Sequence, residues 1–182
     1  AGYPAASLDY LATELLGQDK DHEGNALTLS LSEPAHYYGP VLATMLEQAR
    51  GRLEGQANVT ARYHLGDLTD SDTWRHSGAD LTLALWLLQF IHPAQRQQLL
   101  TLARQRSAPN GAILIAAKTR QTDPRWQEIA DAALIDYKAA AGVGAEEITA
   151  KARSLRGVLI PDTAGEVTAQ LTRAGWHAPT VV

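Results

Sequence analysis

Strand-like and helix-like segments alternate along this chain, and the alternation limits the folds it can adopt. The strand-like segments are short and apolar or alternating, whereas the helical segments repeat apolar residues every three or four positions. The predicted strands cover residues 26–31, 59–65, 81–87 and 112–118; the predicted helices cover residues 7–16, 41–53, 93–106 and 163–174; a turn covers residues 109–111, and residues 178–182 are expected to start a further strand. The order β-α-β-α-β predicts an α/β fold with a doubly wound, mostly parallel sheet.

The region after the fourth predicted strand has a different character. Residues 124–141 and 145–156 are Ala-rich and predict two consecutive helices without an intervening strand. We therefore expect residues 119–162 to form a helical insertion or lid over the edge of the sheet. The helix that follows the insertion closes with Gly175, a residue type that is common just past a helix C-terminus.

Length and composition fit a single domain over residues 1–182. Of the 182 residues, 45% are hydrophobic, which is typical of a globular chain with a sizeable core. The longest apolar run is too short to cross a bilayer, and no signal peptide is recognisable. The sequence therefore predicts a cytoplasmic protein without a membrane partner.

Net charge and the supply of metal-binding side chains bear on two further kinds of protein, those that bind nucleic acid and those that bind a metal ion. The net charge of −4 gives no general attraction to nucleic acid, although residues 151–156 leave a local basic patch open. The chain has no cysteine, and its six histidines show no metal-ligand spacing, so no metal site is expected. His92, directly before Pro93, is expected to start a helix rather than to act as a catalyst.

Several short motifs occur in an order that is known from one enzyme superfamily. Leu-Gly-Asp at residues 65–67 closes a strand, and the apolar strand that comes next leads into Leu-Gln-Phe at residues 88–90. A helix begun by Pro93 follows, and Pro-Asn-Gly at residues 109–111 precedes the next strand. In this order the chain resembles the class I, S-adenosylmethionine (SAM) dependent methyltransferases, which have a Rossmann-like fold.

A narrower resemblance connects the chain with the carboxy-SAM synthases of tRNA wobble-uridine modification. These proteins share the Leu-Gln-Phe segment, an Asp-Tyr-Lys segment at residues 136–138, and an Ile-x-x-Lys helix at residues 148–151. They also end with a helix and Ala-Gly-aromatic, here residues 174–176. The resemblance covers nearly the whole chain and is clearest from Leu65 onward.

The resemblance implies SAM as cofactor and a set of residues that contact it. Asp67 would accept a hydrogen bond from the adenine amino group, and Leu68 N–H would meet the adenine ring. The alternative interpretation of Asp67 is an ordinary capping residue of a turn. Gly2 and Tyr3 match the tail of the glycine loop that lets the backbone approach the amino-acid part of SAM.

Other positions depart from the family pattern. The acid that binds the ribose hydroxyls aligns with Leu31; Ser32 and Glu33 lie next to it and are candidate substitutes, or they merely open a loop. Leu85 stands in the fourth strand of the family fold where carboxy-SAM synthases have an asparagine. Their carboxylate-binding arginine aligns with Ala152.

Basic and aromatic side chains on the inserted helices are the candidates for substrate contact. They are Tyr137, Arg153 and Arg156, and a solvated helix face is the alternative interpretation. Because one residue step turns a helix position by about 100°, Arg153 does not automatically take over the role of the arginine that aligns one position earlier. These changes argue against carboxy-SAM as the ligand and favour ordinary SAM or no cofactor.

The first and last strands of the family fold are absent from the sequence. The chain starts at Ala1, after the point where the central strand of the sheet is expected. A protein that extends beyond these ends, strands donated by another chain, and a remodelled sheet are all compatible with this observation. Without its central strand, such a sheet would have two unpaired inner edges.

Two functions from different classes follow from these patterns. The first is a SAM-dependent methyltransferase acting on a small molecule or a modified nucleotide. The second is a catalytically inactive methyltransferase-like domain that binds a protein partner, regulates it, or forms part of a larger protein or a homo-oligomer. The altered glycine loop and ribose position favour the second, and Asp67 with its surrounding motif order favours the first. No residue stands out as a catalytic base.

Overall fold

The computed structural model describes residues 27–34, 47, 50–51, 59–66, 68–74 and 77–182. The chain divides into two compact units, residues 1–76 and 77–182. The predicted helix over residues 7–16 lies outside the described residues. Within the described part of the chain, no helix is both long enough and apolar enough to cross a membrane.

The first unit contains one pair of parallel strands. β1 (Leu27–Pro34) lies beside β2 (Val59–Gly66), with Leu31 opposite Tyr63 and Pro34 opposite Gly66. Parallel neighbours need a long crossover connection, and residues 47, 50 and 51 between them are helical, within the predicted helix. The predicted end of β1 at residue 31 was wrong, because the ladder with β2 continues through three more residues.

The second unit contains a second parallel pair. β3 (Ala79–Leu85) lies beside β4 (Ser107–Ala116), and α1 (Pro93–Arg106) connects them. His92 caps α1, since its Nδ1 accepts a hydrogen bond from Ala94 N–H at 3.3 Å, and Pro93 occupies the first turn. The helix bounds and the role of His92 are confirmed, and the two parallel pairs confirm the α/β class.

The ends of the second strand pair differ from the predictions. β3 begins and ends two residues earlier than predicted, and Trp86 leaves it with a φ of 56°. β4 begins at Ser107, directly after α1, and its range includes residues 109–111, where a turn was predicted. Its register against β3 pairs Ala79 with Ser107 and next Leu81 with Ala112, so the predicted turn lies in a break of the ladder. A shift in register beside Ala79 accommodates the extra strand residues. The Pro-Asn-Gly segment therefore coincides with the irregular part of the strand pair.

The core of the second unit lies between helices. Leu99, Leu100 and Ala103 line the buried side of α1, which packs against α4 (Ala164–Arg173). Trp176, 6% exposed, donates from Nε1 to Leu100 O at 3.2 Å. One face of the strand pair is partly open to solvent: Leu81 is 42% exposed and Leu114 is 41% exposed.

Both ends of α4 follow from its sequence. Thr163 and Glu166 form a capping box at the start, in which each side chain accepts a hydrogen bond from the other residue's backbone N–H. At the other end Gly175 has a φ of 88°, and Trp176 N–H donates to Leu171 O. The predicted helix closing with Gly175 is confirmed.

The predicted insertion contains two helices. α2 (Pro124–Ala140) and α3 (Ala145–Ser154) agree with the predicted pair, and neither contains a buried residue. The two ends of the segment meet, because Arg120 N–H donates to Asp162 O at 3.0 Å. The further strand predicted at residues 178–182 was wrong: this stretch is not in a strand, and Pro179 offers no N–H to a ladder.

Candidate cofactor site

Two residues that the sequence predicted at the cofactor lie at the carboxyl end of the first strand pair. In parallel α/β sheets ligands bind beyond the carboxyl ends of the strands. Ser32 and Glu33 are among the last three residues of β1 that pair with β2. Glu33 lies opposite Leu65, the residue before Gly66. They belong to the strand itself and not to the loop after it. Asp67, which follows β2 directly, lies outside the described residues, as do Gly2 and Tyr3.

The loop after β2 is held by a tryptophan. Leu68 is 4% exposed, and its carbonyl oxygen accepts a hydrogen bond from Trp74 Nε1 at 2.8 Å. Asp70 caps the short 3-10 turn Ser71–Thr73 by accepting from Asp72 N–H at 3.0 Å. The backbone immediately after Asp67 is therefore anchored. Trp74 was not among the residues predicted from the sequence, where its only signal was a large aromatic side chain in a polar turn.

Gln89 connects the chain just after the carboxyl end of β3 with residue 160. Leu85, predicted at the cofactor, is half-buried and pairs with Ala116. Gln89 is 3% exposed; its Nε2 donates to Trp86 O at 2.9 Å, and its backbone oxygen accepts from Ile160 N–H at 2.8 Å. Gln89 Oε1 is buried and has no hydrogen-bond partner among the described residues. The sequence identified Gln89 only as part of the Leu-Gln-Phe segment shared with the family and did not predict its burial.

A buried arginine joins this loop to the segment that returns from the insertion. Arg96 on α1 has an exposed fraction of 0%, and its Nε donates to Ile91 O at 2.9 Å. Its Nη2 donates to Ile160 O, and its Nη1 lies 2.5 Å from Asp162 Oδ1. Both the loop after β3 and the returning segment are thus tied to α1. Helical periodicity alone gave no signal for a buried charge at this position.

Glu166, in the first turn of α4, has a carboxylate that contacts both ends of the segment containing α2 and α3. Its carboxylate accepts from Thr163 N–H at 2.7 Å and from Arg120 Nη2 at 2.6 and 2.8 Å. The hydrogen bonds from Thr163, and then the positive charge of Arg120, lower the pKa of Glu166 below its ordinary value of 4.5. This ion pair connects the start of the insertion with α4.

The predicted substrate residues lie on exposed surfaces of the inserted helices. Tyr137, near the end of α2, is 67% exposed, while Arg153 in the last turn of α3 and Arg156 just after it are also exposed. Their availability fits contact with a ligand or with solvent, so their role stays a prediction. Within the described part of the chain, no three His, Asp or Glu side chains form a cluster that could hold a metal ion.

Comparison with known proteins finds relatives that carry one name. The carboxy-S-adenosyl-L-methionine synthase of Pseudomonas putida (strain W619) is 30% identical over 136 residues, which are 74% of this chain and 55% of that protein. The synthase of a second strain, F1, is 36% identical over 136 residues. That of Hydrogenovibrio crunogenus is 27% identical over 162 residues, 86% of this chain and 63% of that protein. This chain therefore spans a little over half the length of the curated relatives it matches. No protein-family model matches.

A solved structure has the same fold. PigF with SAH aligns at a TM-score of 0.58 with 14% sequence identity, over 97% of this chain and 44% of that chain. Together with the synthase matches, this shared fold supports the predicted resemblance of the chain to the class I SAM-dependent methyltransferases. Within the superfamily, the predicted resemblance to carboxy-SAM synthases is confirmed.

In parallel α/β folds of this kind, ligands bind beyond the carboxyl ends of the strands. β1 and β2 end together at Pro34 and Gly66, and β3 and β4 end together at Leu85 and Ala116. The residues at and after these ends include Ser32, Glu33, Leu68 and Leu85 of the predicted set. Their contacts with a cofactor remain predictions.

Proposed function

We propose that this protein is a SAM-dependent methyltransferase that acts on a small molecule or a modified nucleotide. The proposal is carried by the 136-residue match to carboxy-SAM synthases in a chain whose strands pair in parallel. The structure of PigF with SAH, which shares the fold, adds support for a SAM-derived ligand. The whole protein's activity is part of the proposal, because the chain spans only part of its relatives' length.

The adenosine end of SAM is assigned to the first strand pair. A carboxylate at Asp67 can accept a hydrogen bond from the adenine amino group, and charge-assisted hydrogen bonds of this kind are short and strong. The anchoring of Leu68 by Trp74 at 2.8 Å supports this assignment, because it holds the adjacent backbone in place before a ligand arrives. Glu33, close to Gly66 in the register, is the group proposed to bind the ribose hydroxyls.

The protein's contribution to transfer would be positioning. SAM supplies an electrophilic methyl group, and the chain's residues would hold an acceptor in line with it, which can account for a large part of the rate. Arg153 and Arg156 carry charge suited to an anionic acceptor, and Tyr137 offers an aromatic face and a hydroxyl. Leu85 and Ala152 replace the asparagine and arginine positions of carboxy-SAM synthases, which supports SAM itself as the ligand.

Calorimetric titration of the full chain with SAM and with SAH tests the proposal. We expect binding of both, and we expect Asp67→Asn to weaken it about tenfold, because the hydrogen bond to the adenine amino group would no longer be charge-assisted. Asp70→Asn is the matched control: it removes the same charge three residues away and keeps a capping side chain, so affinity should stay within about twofold.

Two outcomes separate the hypotheses. If the folded full chain binds neither SAM nor SAH, the proposed function is wrong. Binding without transfer of a labelled methyl group to any small-molecule or nucleotide acceptor would instead support the non-catalytic module.

A further inference from the structure

Trp86 has a backbone conformation that its large side chain makes unfavourable. Its φ of 56° lies in the left-handed region, where a bulky side chain crowds its own backbone. The other non-glycine residue with positive φ in the described part of the chain is Ala178, whose side chain is a single methyl group. Strained backbone of this kind persists only where the surrounding structure enforces it, and it is concentrated at sites of function.

Hydrogen bonds fix the backbone of Trp86 on both sides. Its N–H donates to Ala116 O at 2.5 Å, and its carbonyl oxygen accepts from Gln89 Nε2 at 2.9 Å. This contact orients the Gln89 amide and leaves Gln89 Oε1 buried without a hydrogen-bond partner among the described residues. A buried acceptor without a partner is itself unfavourable. Two unfavourable features of different kinds therefore occur in one loop, and both accompany the fixed position of Trp86.

Burial of the indole ring does not offset this cost. Trp86 is 47% exposed, whereas Leu88 in the same loop is 2% exposed. Core packing therefore accounts for Leu88 but leaves much of the Trp86 surface open to solvent. A large aromatic side chain on a fixed backbone, with its surface only partly covered, suits contact with a ligand.

Trp86 stands at the edge of the sheet where a ligand is expected. Leu85 is the last residue of β3 and pairs with Ala116, so Trp86 is the first residue beyond the carboxyl end of the strand. Ligands of parallel α/β sheets bind beyond these ends. Because Leu85 is a predicted cofactor residue, the residue after it is well placed to contact a second ligand next to the cofactor.

The surroundings of Trp86 in the sequence favour a planar ring as that contact. Residues 81–91 contain no charged side chain, so no carboxylate in this segment helps to attract a cation. The face of an indole stacks on aromatic rings and on nucleobases without needing a charged group.

We propose that Trp86 is a substrate-binding residue on which the methyl acceptor stacks a planar aromatic ring or a nucleobase. This assignment rests on the proposed function, since it concerns the acceptor of that reaction. It narrows the acceptors from small molecules and modified nucleotides in general to those that contain a planar ring. A ring stacked on Trp86 lies next to the predicted cofactor residue Leu85.

Two pairs of probes that differ in whether a planar ring is present test the proposal, with the full chain saturated with SAH. Uridine 5′-monophosphate is compared with ribose 5-phosphate, and benzoate with cyclohexanecarboxylate, which has the same charge but a saturated ring. Calorimetric titration should show about tenfold tighter binding of the planar member in at least one pair, as expected for stacking on one aromatic side chain. A preference in the first pair identifies a nucleotide acceptor, and a preference in the second identifies a small aromatic acceptor; either result supports the proposal.

Exchange of Trp86 decides whether the preference comes from this side chain. Trp86→Leu should reduce the preference to within about twofold because leucine offers no flat face, whereas Trp86→Phe should keep most of it. Trp126→Leu is the matched control: Trp126 lies on α2, is 63% exposed, and its exchange should leave the preference unchanged. SAH should bind all three variants with wild-type affinity, which shows that they are folded and that only contact with the acceptor has changed.

The outcomes separate this proposal from the proposed function. If the wild type binds SAH but prefers the planar probe in neither pair, or if Trp86→Leu keeps the preference, Trp86 does not contact the acceptor. An equal loss of preference in Trp126→Leu, or a loss of SAH binding in Trp86→Leu and Trp86→Phe, would also overturn the assignment. If the wild type does not bind SAH at all, the proposed function is wrong, and the assignment that rests on it is wrong as well.

Discussion

At the scale of single residues, Arg96 has the strongest structural role in the second unit. Its guanidinium group satisfies two backbone carbonyl groups and lies beside the Asp162 carboxylate, with no exposure to water. A buried charge is tolerated only when its partners are in place. Arg96 therefore couples α1 to two segments that are distant in sequence, the loop after β3 and the chain returning from α3.

Replacement of Arg96 tests this coupling. Arg96→Met should destabilise the protein by about 3–5 kcal/mol, because it leaves Asp162 and two carbonyl groups without their partner. Arg106→Met, in the last turn of the same helix, is the control and should cost less than about 1 kcal/mol. Urea denaturation measures both; equal losses for the two variants would show that Arg96 does not couple these segments.

The carboxylate of Glu166 makes stability depend on pH. Its pKa is lowered in the folded protein by the Thr163 hydrogen bonds and by Arg120, so its contribution is present above the ordinary value of 4.5 and is lost as the pH falls through the folded pKa. We expect the melting temperature of the wild type to fall more steeply below that pH than that of Glu166→Gln, which keeps an acceptor for the cap. Glu128→Gln removes an exposed carboxylate of α2 and should melt like the wild type across the same range. Parallel curves for wild type and Glu166→Gln would contradict the assignment.

At the scale of elements, helices were predicted more accurately than strands. α1, α2 and α4 begin within one residue of prediction because Pro93, Pro124 and Thr163 act through local contacts. β1 and β4 were misplaced by up to five residues at one end, because their length depends on the neighbouring strand. The Pro-Asn-Gly segment at residues 109–111, predicted as a turn, lies in the register shift of β4 against β3.

Gly111 shows what that pairing requires. A Cβ at this position would lie 2.5 Å from Ala79 O and 3.2 Å from the backbone N and O of Ala108. Gly111→Ala should therefore destabilise the protein by about 1–3 kcal/mol, the usual cost of overpacking. Gly165→Ala in α4, whose new Cβ would meet nothing closer than 4.0 Å, should be neutral or stabilise by about 0.5 kcal/mol. Thermal unfolding of both variants measures the difference, and a neutral Gly111→Ala would contradict the close approach to β3.

At the scale of the whole molecule, the described strands form two parallel pairs, each within its own compact unit. The candidate cofactor residues divide in the same way, with Ser32, Glu33 and Leu68 in one unit and Leu85 in the other.

The sequence by itself determined the class of the fold, the helices with their caps, and the relationship to SAM-dependent methyltransferases. These features depend on short-range patterns: apolar spacing, proline and glycine at helix ends, and motif order. Only the tertiary structure decided the strand ends, the burial of Arg96 and Gln89, and the exposure of the apolar side chains of α2. Each of these depends on which distant residues come into contact, and hydrophobic periodicity shows which side of a helix is apolar but not what covers it.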